Sequence, residues 1–373
     1  MKIYKIIACC VIAAFLLTGC SNGENLKDLS VVEGMGIDYT EKGISVTVQS
    51  LNLAKEGNGA EALSGNITMN TFGDGKNISA AVQKVAESLS KKLFFGQNQI
   101  LVLGSELARS NLSDSFDYLL RSSDSRPDVA VCISDGKASA AMESKQNDAL
   151  VPAQAISQLL ENGEKNGFAA YVTVNEMLNL YKDKTSDIYL PVITPTDENV
   201  TVSGIAVYSG ERLANILPDS QIMGFLLLTD KIDEGYFEFE DEQFGKIGVE
   251  IISSSTKTKA YLKNGAVVFD ADIDVQLSME ELENGVEAAV SEQELKSIAH
   301  SAEEKLKEKC AEAFDSCVLY SSDCLRIGEN LAKNSPDDYA ALSDDWGRNI
   351  SKTVLDVSCS SKLKIVNENA RGY

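Results

Sequence analysis

The 373-residue chain has a single histidine, His300. A Ser/His/Asp triad or a multi-histidine metal site would have to be built around it, and its surroundings, IAHSAEE, read as an exposed helix surface. The nucleophile motif GxSxG is missing, as are the phosphate-cradling loops GxxxxGKS/T and GxGxxG. These absences speak against a hydrolase or a nucleotide-dependent enzyme, and no cofactor is expected. Positive charge is also scarce: 34 Lys and Arg stand against 56 Asp and Glu, a formal charge of -22. Nucleic-acid binding and flat adsorption to anionic headgroups both call for clustered cations, so neither is expected. No CxxC pair occurs, and beyond the first twenty residues no apolar run approaches the roughly twenty needed to span a bilayer.

The chain does have a leader. MKIYKIIACCVIAAFLLTGC places Lys2 and Lys5 before an apolar run from Ile6 to Leu17, too short for a membrane span and of secretory type. Its end, Leu17-Thr18-Gly19-Cys20, resembles a bacterial lipobox. Residues 1–19 therefore read as a lipoprotein signal peptide and Cys20 as the lipid attachment site, whose acyl chains at about 0.8 kcal/mol per buried methylene would make a lasting anchor. Losing Lys2 and Lys5 with the leader turns 34 basic residues into 32 against an unchanged 56 acidic ones, a formal -24. The mature chain should hang from the membrane as a soluble multidomain protein.

The cysteines beyond the leader and Cys20 are Cys132, Cys310, Cys317, Cys324 and Cys359, an odd number. Cys310, Cys317 and Cys324 are seven apart. If one helix continued through all three, neighbours would sit about 10.5 Å apart, beyond the roughly 7 Å that a disulfide can bridge. They are expected as small buried hydrophobes.

Along the chain, VVEGMGIDYTEKGISVTVQSLNL reads as two strands, Ile78, Val82, Val85 and Leu89 fall at helical spacing, and QILVLGS and DVAVCIS are buried strands. Pro191 and Pro195 in IYLPVITPTDENV suggest a boundary. SGIAVYSGERLANIL and FLLLTDKI open a β-rich portion. The last third runs from the strand GAVVFDADIDVQLS through a long helix, begun by a capping box at Ser291 and Glu294, to the strand KTVLDVSCSSKLKIV. Leu295, Ile298, Ala302, Leu306, Cys310, Ala313 and Cys317 form that helix's apolar stripe. The expected fold is α+β, multidomain, with mixed sheets, packed helices and a long helix in the C-terminal domain. Its divisions are 20–195 (N-terminal α/β), 196–262 (β-rich middle) and 263–373 (C-terminal α+β).

DADID, Asp270 to Asp274, begins like a calcium loop but lacks the turn glycine and the closing glutamate. Strand alternation explains it: the three aspartates face water while Ala271, Ile273 and Val275 face the core. YFEFEDE likewise reads as an alternating strand. No metal site is expected.

Taken together, LSVVEGMGIDYTEKGISVTVQ, FFGQNQILVLGSELARSNLSDSFDYLLRSSDSRPDVAVCISDGKASAAM and SGIAVYSGERLANILPDSQIMGFLLLTDK resemble the Ger(x)C family, the lipoprotein C subunits of spore germinant receptors. The ending RIGENLAKNSPDDYAALSDDWGRNISKTVLDVSCSSKLKI is similar to that family's, with Gly328, Pro336 and Trp346 at its recurrent glycine, proline and tryptophan. Gln97 departs from the histidine often found in the family's FFG block, and the aromatic, glycine-rich segment near the family's C-terminus appears only as CLRIG. The resemblance implies a noncatalytic subunit on the outer face of the spore inner membrane, assembled with integral membrane A- and B-type receptor subunits and acting in nutrient-triggered germination. Gln97, Arg121 and Arg126 are the candidate partner-binding residues. For Arg121 and Arg126, helix capping or an ion pair with Asp117 or Asp124 is the alternative. A solute-binding lipoprotein of a transporter is the competing reading, and it would need two similar lobes around a cleft. A lipid-anchored hydrolase is the third.

Overall fold

The computed structural model describes residues 26–41, 43–52, 67–110, 112–121, 126–145, 149–283 and 290–365. The leader and Cys20 lie outside the described residues. Strands β1 (Leu29–Thr40), β2 (Gly43–Leu51), β3 (Thr68–Gly75), β4 (Lys92–Phe94), β5 (Ile100–Gly104), β6 (Ala130–Ser134), β7 (Tyr189–Pro195), β8 (Val200–Ser209) and β9 (Arg212–Pro218) form one sheet in the order β3-β2-β1-β5-β6-β7-β8-β9, with β4 beside the start of β1. β10 (Gly235–Asp241), β11 (Gly245–Lys263), β12 (Ala266–Leu282) and β13 (Val354–Ile365) form a second sheet in chain order. The helices are α1 (Ile78–Glu87), α2 (Ser105–Ser110), α3 (Ser113–Arg121), α4 (Ala138–Glu143), α5 (Pro152–Lys165), α6 (Val174–Lys182), α7 (Asp219–Leu228), α8 (Glu292–Leu319), α9 (Ile327–Asn334), α10 (Pro336–Leu342) and α11 (Trp346–Ile350). The chain is thus α+β with two mixed sheets and packed helices.

The centre of the first sheet, β1, β5, β6 and β7, is parallel, and antiparallel pairs flank it. ILVLG and AVCIS are unbroken apolar runs because both sheet faces are covered: Leu101 and Leu103 join one apolar cluster, while Ile100 and Val102 join another on the opposite face. The glycines of VVEGMGIDY have a packing cause. A Cβ on Gly34 would lie 2.5 Å from the Cβ of Ala153, so that glycine lets α5 close onto β1.

In the second sheet, Ala271, Ile273 and Val275 are buried while Asp272 and Asp274 are exposed, and Phe237 and Phe239 are buried between exposed Glu238 and Glu240. α8 begins at the expected capping box, with Ser291 Oγ accepting from the Glu294 N–H and the Glu294 carboxylate accepting from the Ser291 N–H. It buries Ile298, Ala302, Leu306, Cys310, Ala313 and Cys317. His300 is exposed on it, 3.6 Å from Glu303.

Three expectations need correction. Pro191 and Pro195 do not keep their segment out of a sheet: both lie within β7, whose pairing with β6 involves only Val192 and Ile193, so the absent proline N–H groups remove no rung there. FLLL is not a strand but the end of α7, buried from Ile222 to Leu228 between β8, β9, β11 and α8. Cys324 lies beyond the end of α8 at Leu319, so the seven-residue spacing does not continue on one helix. The sheets also group the chain as 29–218 and 235–365, with β8 and β9 in the first sheet.

Candidate functional site

The parallel strands bring two of the three candidate residues together. β5 and β6 run beside β1 in the same direction, so the segments entering them, 95–99 and 126–129, lie at the end of the sheet where β1 begins. Gln97 is exposed in a short 3-10 turn, Phe95–Gln97, and its carbonyl accepts from Gln99 Nε2 at 3.0 Å. Arg126 reaches across to this turn, donating from Nη1 to the Gly96 carbonyl at 3.0 Å, while its Nε and Nη2 grip the Asp128 carboxylate. Its ion-pair partner is thus Asp128, and that pairing holds the Asp128 carboxyl below its ordinary range. Arg121 closes α3, and its side chain lies outside the described residues, as do those of Asp117 and Asp124.

A second polar group lies where the two sheets meet, and sequence reasoning missed it. Lys231, just past α7, donates to Glu164 Oε1 of α5 at 3.2 Å and to Glu176 Oε1 of α6 at 3.0 Å. Tyr189 Oη donates to the same Glu176 oxygen at 3.1 Å. Arg326 stands 3.8 Å from Glu176 across a cavity of about 300 Å³. Burial would lower the Lys231 pKa, but Tyr189 and the two carboxylates outweigh it and the ammonium stays charged; burial pushes the Glu164 carboxyl up. Five separate segments meet here, and no local spacing announces the meeting.

Beside it, the fully buried Asp323 is a structural node. Its carboxylate accepts from the N–H groups of Ile327 (2.7 Å) and Gly328 (2.8 Å) and from Trp346 Nε1 (2.9 Å). Its own N–H donates to Asp187 Oδ2 at 2.7 Å, joining the second sheet's domain to the segment leading into β7. Gly328 and Trp346, singled out separately in the sequence, are two donors to one acceptor. Burial pushes the Asp323 carboxyl up to about 8, against the pull of those donors. A carboxyl raised in the folded state binds its proton more tightly folded than unfolded, so its contribution is full below the unfolded value near 3.9 and is lost as pH rises through 8. The stability advantage of the wild type over Asp323→Asn, measured by urea unfolding, should therefore be largest below about pH 4 and shrink progressively toward pH 8. Parallel pH profiles would contradict the raised pKa.

The chain matches two family descriptions in succession, "Spore germination protein N-terminal domain" over residues 22–195 and "Spore germination B3/ GerAC like, C-terminal" over residues 203–367. It belongs to the Ger(x)C family of spore germination proteins. Gln97, Arg121 and Arg126 fall in the first of these regions, and Asp323, Gly328 and Trp346 in the second. Among family members it is similar to spore germination protein KC of Bacillus subtilis, with 20% identity covering 95% of this chain and 93% of that protein. It also resembles the putative spore germination protein YfkR of the same organism, with 23% identity covering 73% of each. The crystal structure of the GerBC protein shares the fold at a TM-score of 0.59 and 18% identity, covering 93% of this chain and all of that one. Among the described residues, no group of three or more His, Cys, Asp and Glu side chains is placed to hold a metal, and no helix is long and apolar enough to cross a membrane.

Proposed function

We propose that this chain is the C-type subunit of a nutrient germinant receptor, anchored through lipid on Cys20 to the outer face of the spore inner membrane, and that it acts without catalysis through contacts with the integral membrane A- and B-type subunits. Membership of the Ger(x)C family over nearly the whole chain carries this reading. The fold adds a geometric support. β1 starts at the end of the sheet that carries Gln97 and Arg126, and the six peptide links from Cys20 to Leu26 span at most about 22 Å when extended. A lipid on Cys20 therefore keeps this end near the bilayer, within reach of membrane subunits. The solute-binding reading is not favoured: the two sheets differ in strand number and topology, and the cavity between them is lined by charges that already pair with one another.

Two substitutions test the proposal. Cys20→Ala should abolish labelling by a fatty acid and release the protein from the membrane fraction; continued labelling would contradict the anchor. Arg126→Glu should lower stability only modestly, by about 1–2 kcal/mol, since the partly exposed ion pair with Asp128 is worth about 0.2–1 kcal/mol and the hydrogen bond to the Gly96 carbonyl about as much again. It should nevertheless reduce copurification with the membrane subunits severalfold. Normal copurification and normal germination would remove Arg126 from the interface.

A further inference from the structure

Cys317 and Cys324 are both fully buried, and their sulfurs lie 3.3 Å apart. The helix stop brings them together. Past the end of α8, Ser321 adopts a positive φ of 57°, its N–H returns to the Val318 carbonyl at 3.0 Å, and the Ser322 N–H returns to the Cys317 carbonyl at 3.0 Å. This is the paired hydrogen bonding of a Schellman stop, which reverses the chain across the last turn of the helix. Cys324 then comes back beside Cys317 instead of lying a further seven residues along the axis. The turn is also docked on the first sheet, through Ser322 Oγ donating to the Tyr208 carbonyl and the Asp323 N–H donating to Asp187.

We propose that Cys317 and Cys324 are a disulfide site, closed by exchange with a low-molecular-weight disulfide of the glutathione class as the chain folds. One cysteine thiolate attacks a sulfur of the external disulfide, forming a mixed disulfide and releasing one external thiolate. The second cysteine thiolate attacks the protein-bound sulfur of that mixed disulfide and releases the other. Two protein thiols become one S–S bond, the external disulfide is reduced to two thiols, and these take the two protons. The sulfurs have only to close from 3.3 Å to about 2.05 Å. In the folded protein, the hydrogen bond from Cys324 and burial hold the Cys317 thiol well above its ordinary pKa, in its unreactive protonated form. Exchange therefore belongs to the stage before the turn closes. The bond would tie the end of α8 to the segment that carries Asp323.

The test refolds the detergent-solubilised mature lipoprotein from urea, either in dithiothreitol or in a glutathione redox buffer, and counts thiols by maleimide labelling after a second denaturation. The five cysteines beyond Cys20 should all label after reductive refolding, and two fewer after refolding in glutathione. Cys317→Ser should label to the same extent from both buffers, and Cys324→Ser, the second variant, should do the same. Cys310→Ser should still lose two labels in glutathione. Equal labelling of the wild type from both buffers, or a two-label loss that persists in Cys317→Ser or Cys324→Ser, would overturn the proposal.

Discussion

Gly224→Ala should abolish the native fold or reduce its stability by about 4 kcal/mol or more, the range reserved for substitutions that force packed elements apart. Gly224 lies in α7 against α8, and a Cβ there would sit 2.0 Å from the Lys309 carbonyl oxygen, 2.4 Å from its carbon and 2.9 Å from the Cys310 nitrogen. All three are backbone atoms, so no rotamer change relieves the clash; the helices must separate. Neither helix is free to retreat, because α7 is buried against β8 and β9 while α8 packs on β13. Gly347→Ala is the matched control. No atom lies within 4 Å of a Cβ at that exposed helical site, and the change should be neutral or add up to about 1 kcal/mol through helix propensity. Urea unfolding of both variants makes the comparison, and a Gly224→Ala protein as stable as the control would show that the helices part cheaply.

The same helix shows where the sequence could and could not be read. Segments whose pattern is local were legible: the alternation of DADID, the Ser291 capping box and the apolar stripe of α8 each depend on neighbours a few residues away. FLLL was misread as a strand because α7 is buried on all sides, and a short apolar run has no polar face to reveal its period. The prolines of β7 misled for a related reason, since whether a missing N–H matters depends on which rungs the neighbouring strand forms. At the candidate surface, Arg126 was found from its rarity in an acidic chain, but its hold on Gly96, thirty residues away in sequence, follows only from parallel strand order. Lys231 gave no local signal, and Asp323 only a faint one. An aspartate between cysteines and an apolar CLRIG run was the one available hint of a buried carboxyl, and its meaning depends on Gly328 and Trp346 arriving from later helices.

The Lys231 cluster yields the other large expected effect. Lys231→Met keeps the length and apolar stem of the side chain but removes the charge between Glu164 and Glu176, leaving two carboxylates without their shared cation. Removing one partner of a buried pair costs about 3–5 kcal/mol. These side chains are 23%, 19% and 24% exposed, so solvent screening brings the expected loss near neutral pH to about 2–3 kcal/mol. The loss should depend on pH in a definite direction. Burial already raises the Glu164 carboxyl while Lys231 restrains it, so without the lysine its folded pKa climbs further above the unfolded value near 4.3. The variant is then penalised least where Glu164 is protonated in both states, and its deficit grows as pH rises through the new folded value. Urea unfolding should therefore show a larger deficit at pH 8 than at pH 5, and Glu164→Gln added to Lys231→Met should recover part of it at pH 8 because one of the opposed charges is gone. An equal deficit at both pH values, with no recovery in the double variant, would mean that Lys231 contributes through packing of its stem and that the charges at the junction of the sheets are already screened by water.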